Sequence, residues 1–172
     1  MTTALHTVDG PALSERVRRV HANFPTGVAV VTAMVDGMPC GLAVNALTSV
    51  SLDPAVILFC VAKAARTHDR LHVSRHAAVN ILSHGQARIA RRFATSGGDK
   101  FTSCDWRPGP HGSPVIEGVS AWLEVEIRSR TDAVTHTIFT GGVLAAEAAV
   151  VPPLVYLSPG LFDGAQMVEA TK

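Results

Sequence analysis

The sequence predicts a mainly β chain with a few short helices, closed as a small antiparallel barrel rather than a parallel α/β sheet. Apolar and β-branched runs recur at 28–33, 38–44, 56–61, 77–82, 121–127 and 135–144. Turn residues such as Asp36-Gly37 and Asp53-Pro54 separate the early runs, with few helices to cross between parallel strands. The 172 residues are 47% apolar and 17% charged, enough to enclose a core and too apolar for disorder.

Taken in order, Leu13, Val17, Val20 and Phe24 recur at helical spacing, so residues 11–23 form an amphipathic helix that Pro25-Thr-Gly27 ends. Residues 28–33 form a buried strand. Asp36-Gly37 is a strong hairpin signal, because both central residues of a type I′ turn need positive φ. The next strand, 38–44, runs into the stretch 41–54, around which the barrel is expected to be organised. There Val50 and Leu52 alternate with Ser49 and Ser51, the period of a half-buried strand. Pro54 has a fixed φ and presses Asp53 toward extended geometry, which marks a turn. Residues 56–61 are an unbroken apolar run, as in a core strand buried on both faces, with Cys60 a small buried hydrophobe.

Thr67 is a candidate N-cap for a short helix reaching Ser74. Residues 77–82 form another strand, and Gln86, Ile89, Ala90 and Phe93 share one face of a helix over 85–94. Residues 95–114 hold four glycines and three prolines, which makes them a functional or interface loop rather than a tight turn. Ala121, Leu123, Val125 and Ile127 alternate with Trp122, Glu124, Glu126 and Arg128, the cleanest strand pattern in the chain. Its partner spans 135–144, and a last strand lies around 154–157, where Pro152-Pro153 at the entry suits an edge position. No repeat or linker divides the chain, so 1–172 reads as one domain with its barrel over about 26–162.

The formal net charge is +1 and neither half looks like a basic nucleic-acid surface; Arg16, Arg18, Arg19, Arg88, Arg91 and Arg92 read as solvated helix faces. No apolar run approaches the roughly 20 residues of a membrane span. The opening residues 1–6 lack a basic-then-apolar leader pattern, so the chain is expected in the cytoplasm. Cys40, Cys60 and Cys104 form no CxxC pair, which argues against a disulfide framework, a thiolate zinc site or a thiol nucleophile. GxGxxG, Walker, GxSxG and HExxH patterns are absent.

Three signals carry chemistry. Asn45, Thr48, Ser49 and Ser51 place small polar groups on the edge of an apolar sheet, where they could meet a flat hydrogen-bonding ligand or simply face water. Lys63, Arg66 and Thr67 put two cations and a hydroxyl just before a helix start, a phosphate site or a capped surface turn. His68, His72 and His76 stand four apart and would share one face of a continuous helix, a spacing that binds zinc or copper. Arg70 and Arg75 intervene and no carboxylate completes that set, so a plain surface helix is the competing reading. His136, within a strand, is either structural or functional.

The ordered set of motifs resembles the short-chain flavin reductases, the reductase partners of two-component flavin-dependent monooxygenases. Phe24-Pro-Thr-Gly-Val-Ala-Val-Val-Thr32 resembles the family's opening strand, and Gly41-Leu-Ala-Val-Asn-Ala-Leu-Thr-Ser-Val-Ser-Leu-Asp-Pro54 its most characteristic stretch. Ala78-Val-Asn-Ile-Leu82, Arg92-Phe93, Asp99-Lys-Phe101 and Gly112-Ser-Pro-Val-Ile-Glu-Gly118 follow in family order, so the likeness runs from about Val20 to Phe162.

The resemblance implies a split β-barrel, FMN-binding-like fold acting as a homodimer, with FMN or FAD near the subunit interface. It implies reduction of that flavin by NADH or NADPH and delivery to a partner monooxygenase. From the residues themselves, no metal, nucleic acid or membrane is expected as a partner. Such chemistry needs no acid–base pair, because the cofactors carry the hydride and the protein aligns them. Carried over by position, Ala43, Asn45 and Ala46 would line the flavin ring, with Cys60, Val61 and Ala62 along its edge and ribityl chain. Arg66 and Thr67 would take the phosphate, Arg92 and Phe93 would add contacts, and Ser51, Lys63, Lys100 and His136 complete the cofactor-binding set. The sequence departs from the family before His136, where many relatives have Gly-Asp and this chain has Val134-Thr135. That change keeps open a non-reducing flavin-binding protein, or a flavin-dependent biosynthetic enzyme on the same fold. A metal-binding module on the three histidines is the remaining alternative.

Overall fold

The computed structural model describes residues 10–170, so the leader reading of residues 1–6 lies outside it. Helix α1 (Gly10–Ala22) opens the chain and a two-residue strand β1 (Thr26–Gly27) follows. Strands β2 (Ala29–Val35) and β3 (Met38–Val44) form a hairpin whose central residues Asp36 and Gly37 have φ of 52° and 71°, as a type I′ turn requires. A second hairpin joins β4 (Leu47–Leu52) to β5 (Ala55–Ala62). Then come α2 (His68–Val73), β6 (His76–Ile81), α3 (Ala87–Ala94), β7 (Trp106–Pro108) and β8 (Pro114–Ile116). Two 13-residue strands, β9 (Ala121–Ala133) and β10 (His136–Ala148), form the longest hairpin. Strands β11 (Leu154–Leu157) and β12 (Gly160–Asp163) close the fold.

Seven strands make one antiparallel sheet in the order β3-β2-β6-β9-β10-β5-β4. The sheet curls until β3 lies beside β5 with no ladder between them, so the barrel is split at that seam. Alternate residues of the strands fill its interior, centred on Phe59 and Phe139, whose rings stack 5.2 Å apart. Each fully buried side chain of this size stabilises by about 1.5–3 kcal/mol. A second core covers the outside of β2, β6 and β9, where Val30, Ala78, Leu82 and Trp122 meet Phe93 of α3 and Leu154 of β11.

That second core also covers part of β9. Trp122 and Glu124 are buried beneath the segment that includes β7 and β8, a cover that strand periodicity does not reveal. Glu124 accepts backbone N–H groups of His111 and Ser113, both at 2.8 Å. Asn80, also buried, donates to the Val30 carbonyl at 3.0 Å and accepts the Ile116 N–H at 2.8 Å. These side chains satisfy buried backbone groups of the cover and fix its position on the sheet.

Four expectations are corrected. Val50 and Leu52 do not point into the barrel: β4 is an end strand, its register shifts between Ser49 and Ser51, and the two are 55% and 87% exposed. Strand β5 is buried on alternate residues only, Ile57, Phe59 and Val61, which leaves Cys60 half-buried on the outer face. Strand β11 is the middle of a three-stranded sheet between β1 and β12, not an edge. Thr67 precedes α2 but makes no side-chain cap. Among the described residues, no helix is long and apolar enough to cross a membrane.

Candidate functional site

The seam between β3 and β5 organises the site. In a two-residue hairpin the closing pair Val35 and Met38 exchange hydrogen bonds, and alternate residues along β3 do the same. Pro39, Gly41 and Ala43 therefore turn their backbone groups away from β2, toward the seam. Pro39 has no N–H to leave unpaired there. The Gly41 carbonyl accepts from Thr67 Oγ1 at 3.2 Å and Lys100 Nζ at 3.3 Å, so one strand residue anchors two loops. Only glycine fits: a Cβ would lie 2.9 Å from the Val31 oxygen and 3.1 Å from Phe93 Cε1.

Two cavities flank this edge. The larger, about 790 Å³, is bordered by Gly41 and Ala43, by Arg66 and Thr67, and by the segment from Phe93 to Trp106. The smaller, about 420 Å³, lies between Pro25-Thr26-Gly27 and Asn45-Ala46, with Leu58 and Ile81 behind. The first is cationic. Among the described residues, Arg66, Arg70, Arg92 and Lys100 form no ion pair. The hydrogen-bond acceptors of three of them are neutral: Arg70 donates to the Val35 and Met38 carbonyls, Arg92 to the Asp99 carbonyl and Lys100 to those of Gly41 and Phe93. Burial, reinforced by the nearby Arg92 charge, holds the Lys100 ammonium below the usual lysine range. An anion here would meet positive charge that no carboxylate cancels.

The structure gathers Ala43, Arg66, Thr67, Phe93 and Lys100 around the larger cavity, with Arg92 beside its Gly98 wall. Asn45 and Ala46 border the smaller one. The Cys60 N–H donates to the Ala46 carbonyl at 3.0 Å, which holds the Asn45-Ala46 turn against β5. Val61 packs into the barrel core, so its side chain reaches neither cavity. Ser51 lies on the outer strand β4, and Lys63 pairs with Asp132 near the tip of the β9–β10 hairpin, where the lysine holds that carboxyl below its usual range. Ala62 pairs with His136, an exposed residue whose Nδ1 lies 2.9 Å from Thr135 Oγ1 and which borders neither cavity. Sequence reasoning missed Arg70, Phe101 and Trp106 as lining residues; the only signal was the glycine- and proline-rich loop that carries two of them.

The three histidines do not converge. Helix α2 ends at Val73, His76 begins β6, and buried His68 spends its ring nitrogens on Asp69 and on Thr137 Oγ1, both at 2.8 Å. Among the described residues, no group of His, Cys, Asp and Glu is arranged to hold a metal.

An open strand edge beside a cationic cavity suits a flat ring with a phosphorylated tail. The family profile described as "Flavin reductase like domain" matches residues 21–164. The chain belongs to this family. It is 44% identical over 137 residues to an NADH-dependent FAD reductase from Streptomyces globisporus, covering 76% of this chain and 74% of that one. The solved NADH:FAD oxidoreductase SgcE6 from the same organism superposes with a TM-score of 0.85 at 36% identity, over 95% of this chain and 100% of that one. The stachydrine N-demethylase reductase subunit of Rhizobium meliloti is 37% identical over 147 residues, 85% of this chain. The chain spans only 64% of that relative's length, and 47% of a second relative from the same organism. The fold is the split barrel of these flavin reductases.

Proposed function

We propose that the protein reduces FMN or FAD with NADH or NADPH and releases the reduced flavin to a partner monooxygenase. The observation that carries this is the outward backbone of Gly41 and Ala43 at the split, beside cations that have no carboxylate partner among the described residues. The bound flavin accepts the hydride. The chain's own residues orient it: the β3 edge meets the ring, Asn45 and Ala46 border the ring end, and Arg66 with Thr67 holds the phosphate. His136, in register with Ala62, is assigned to positioning the nicotinamide rather than to proton transfer, since the hydride passes directly between the two cofactors. A flavin-binding protein without reductase activity is the weaker reading, because relatives matched over most of this chain bear the names of reductases.

A second copy of the chain completes this reading. Leu13, Val17, Val20 and Phe24 of the α1 region are exposed, Phe24 at 69%, and Val50 and Leu52 extend the apolar surface on β4. A twofold interface burying on the order of 2,000 Å² covers such an area in an obligate pair. Light scattering that shows a stable monomer at micromolar concentration removes the dimer. The flavin site is tested by fluorescence titration. Arg66→Ala should weaken flavin binding by about 1.5–3 kcal/mol, the scale of a hydrogen bond to a charged group. Unchanged affinity places the phosphate elsewhere.

A further inference from the structure

The turn that carries Arg66 and Thr67 is braced from both sides of the split. Consecutive turns lead from β5 into α2: the Ala65 N–H donates to the Ala62 carbonyl at 3.0 Å, and the His68 N–H to the Ala65 carbonyl at 2.8 Å. Arg66 and Thr67 are the central residues of the second turn, and His68 closes it. On the β3 side, Thr67 Oγ1 donates to the Gly41 carbonyl at 3.2 Å, and Arg70 donates to the carbonyls of Val35 and Met38. On the β10 side, the Lys63 N–H donates to the Thr135 carbonyl at 2.9 Å. The other brace there is the His68 ring. Its Nδ1–H donates to Asp69 at 2.8 Å, since a carboxylate can only accept, and Nε2 is left to accept the Thr137 hydroxyl, also at 2.8 Å.

These two bonds are unequal. The Asp69 side chain is 96% exposed, so water competes for its contact. Thr137 and His68 are 4% and 8% exposed, so neither can turn to water if the other is removed, and their bond is costly to lose. The His68 ring also meets Phe139 edge-on, with centroids 6.3 Å apart. Asp69, His68 and Thr137 stand in the order of a nucleophilic triad, but the Thr137 hydroxyl is buried and borders neither cavity, so no substrate reaches it. The bond is a brace.

We infer that His68 is a positioning residue for phosphate recognition: its bond to Thr137 sets the turn that holds Arg66 and Thr67 at the larger cavity. The inference rests on the reading of that turn as the flavin phosphate site and adds what keeps it in place. His68 borders neither cavity itself, so its influence on a ligand passes through the turn it closes. A displaced turn moves Arg66 away from the phosphate and leaves the β3 edge, which meets the ring, where it is.

The test compares FMN with riboflavin, which has the same ring and ribityl chain without the phosphate, in fluorescence titrations of the whole protein. Thr137→Val keeps the side-chain shape and removes the hydroxyl, whereas Thr137→Ser keeps the hydroxyl. Thr137→Val should weaken FMN binding by about three- to tenfold, the net scale of one hydrogen bond, and riboflavin binding by less than about twofold. Thr137→Ser should restore most of the FMN affinity. His68→Leu removes the same bond from its other end and should shift the FMN-to-riboflavin ratio in the same direction. A purely structural bond lowers Tm and weakens both flavins equally; that result, or an unchanged ratio in both variants, overturns the inference. Arg66→Ala separates the two levels. If it shifts the ratio and Thr137→Val does not, the phosphate site stands and the role of His68 falls. If Arg66→Ala leaves the ratio unchanged, the phosphate lies elsewhere and the underlying reading is refuted.

Discussion

Gly41→Ala tests whether the β3 edge is the foundation of the site. The added Cβ would stand 2.9 Å from the Val31 carbonyl oxygen, 3.0 Å from Thr32 Cγ2 and 3.1 Å from Phe93 Cε1. The first of these is backbone of the neighbouring strand in the same sheet and cannot yield alone, and Phe93 is fully buried. Relief comes from moving β3 or tilting α3, and either movement carries the Gly41 carbonyl away from Thr67 Oγ1 and Lys100 Nζ. Overpacking of a well-filled core costs about 1–3 kcal/mol, and each strained hydrogen bond adds about 0.5–1.5 kcal/mol. For a chain of this size each kcal/mol lowers Tm by about 2–4 °C. Flavin affinity should fall with stability, because the same displacement disturbs both sides of the larger cavity. Gly85→Ala is the control: nothing lies within 4 Å of its added Cβ, so its Tm should move by no more than the ordinary surface range of about 0.5 kcal/mol. If Gly41→Ala melts with the unaltered protein and binds flavin as well, β3 does not hold the site as described.

Glu124→Gln keeps the shape but replaces one carboxylate oxygen with a donor, which then faces the N–H of His111 or Ser113. It should cost about 1–3 kcal/mol, read by thermal or urea unfolding, and an unchanged midpoint would mean that these bonds do not anchor the cover. Val134→Gly acts in the opposite direction. Val134 sits at φ 57°, in the two-residue turn of the β9–β10 hairpin, and a β-branched residue there is strained by about 1–2 kcal/mol. Glycine removes that strain but adds about 0.4–1 kcal/mol of unfolded-chain entropy, so a net gain of about 0.5–1 kcal/mol is expected in the same melts. A loss of stability would mean that the valine is relaxed.

Most of the sheet was legible in the sequence because its signals are local. Asp36-Gly37 carries its turn type in its own chemistry, and the 121–127 alternation needs no distant partner to be recognised. What failed was long-range. Nothing within β9 shows that residues 105–116 fold back to bury Trp122 and Glu124. Nothing within β4 shows that a shifted register on an end strand leaves Val50 and Leu52 outside. The cationic cavity is half legible: Lys63, Arg66 and Thr67 before a helix start read as a phosphate site or a capped surface turn, and Arg66 and Thr67 border the cavity while Lys63 does not. Arg70 looked like an interruption between histidines, and Trp106 like part of an unassigned loop. Both reach the cavity only through tertiary placement, Arg70 through carbonyls of the β2–β3 hairpin and Trp106 through its pairing with Ile116. Val134 is the converse case. A residue noted only as a departure from a family pattern occupies the one positive φ in its turn, where glycine is the natural choice.

The most direct test of the central claim is steady-state oxidation of NADH by catalytic amounts of the protein with excess FAD or FMN in air, followed by the loss of nicotinamide absorbance. The reading expects many turnovers per chain, and it expects His136→Ala to raise the KM for NADH by about tenfold, one hydrogen bond of the usual net strength, while flavin affinity barely moves. A protein that binds flavin tightly yet leaves NADH unoxidised would contradict it.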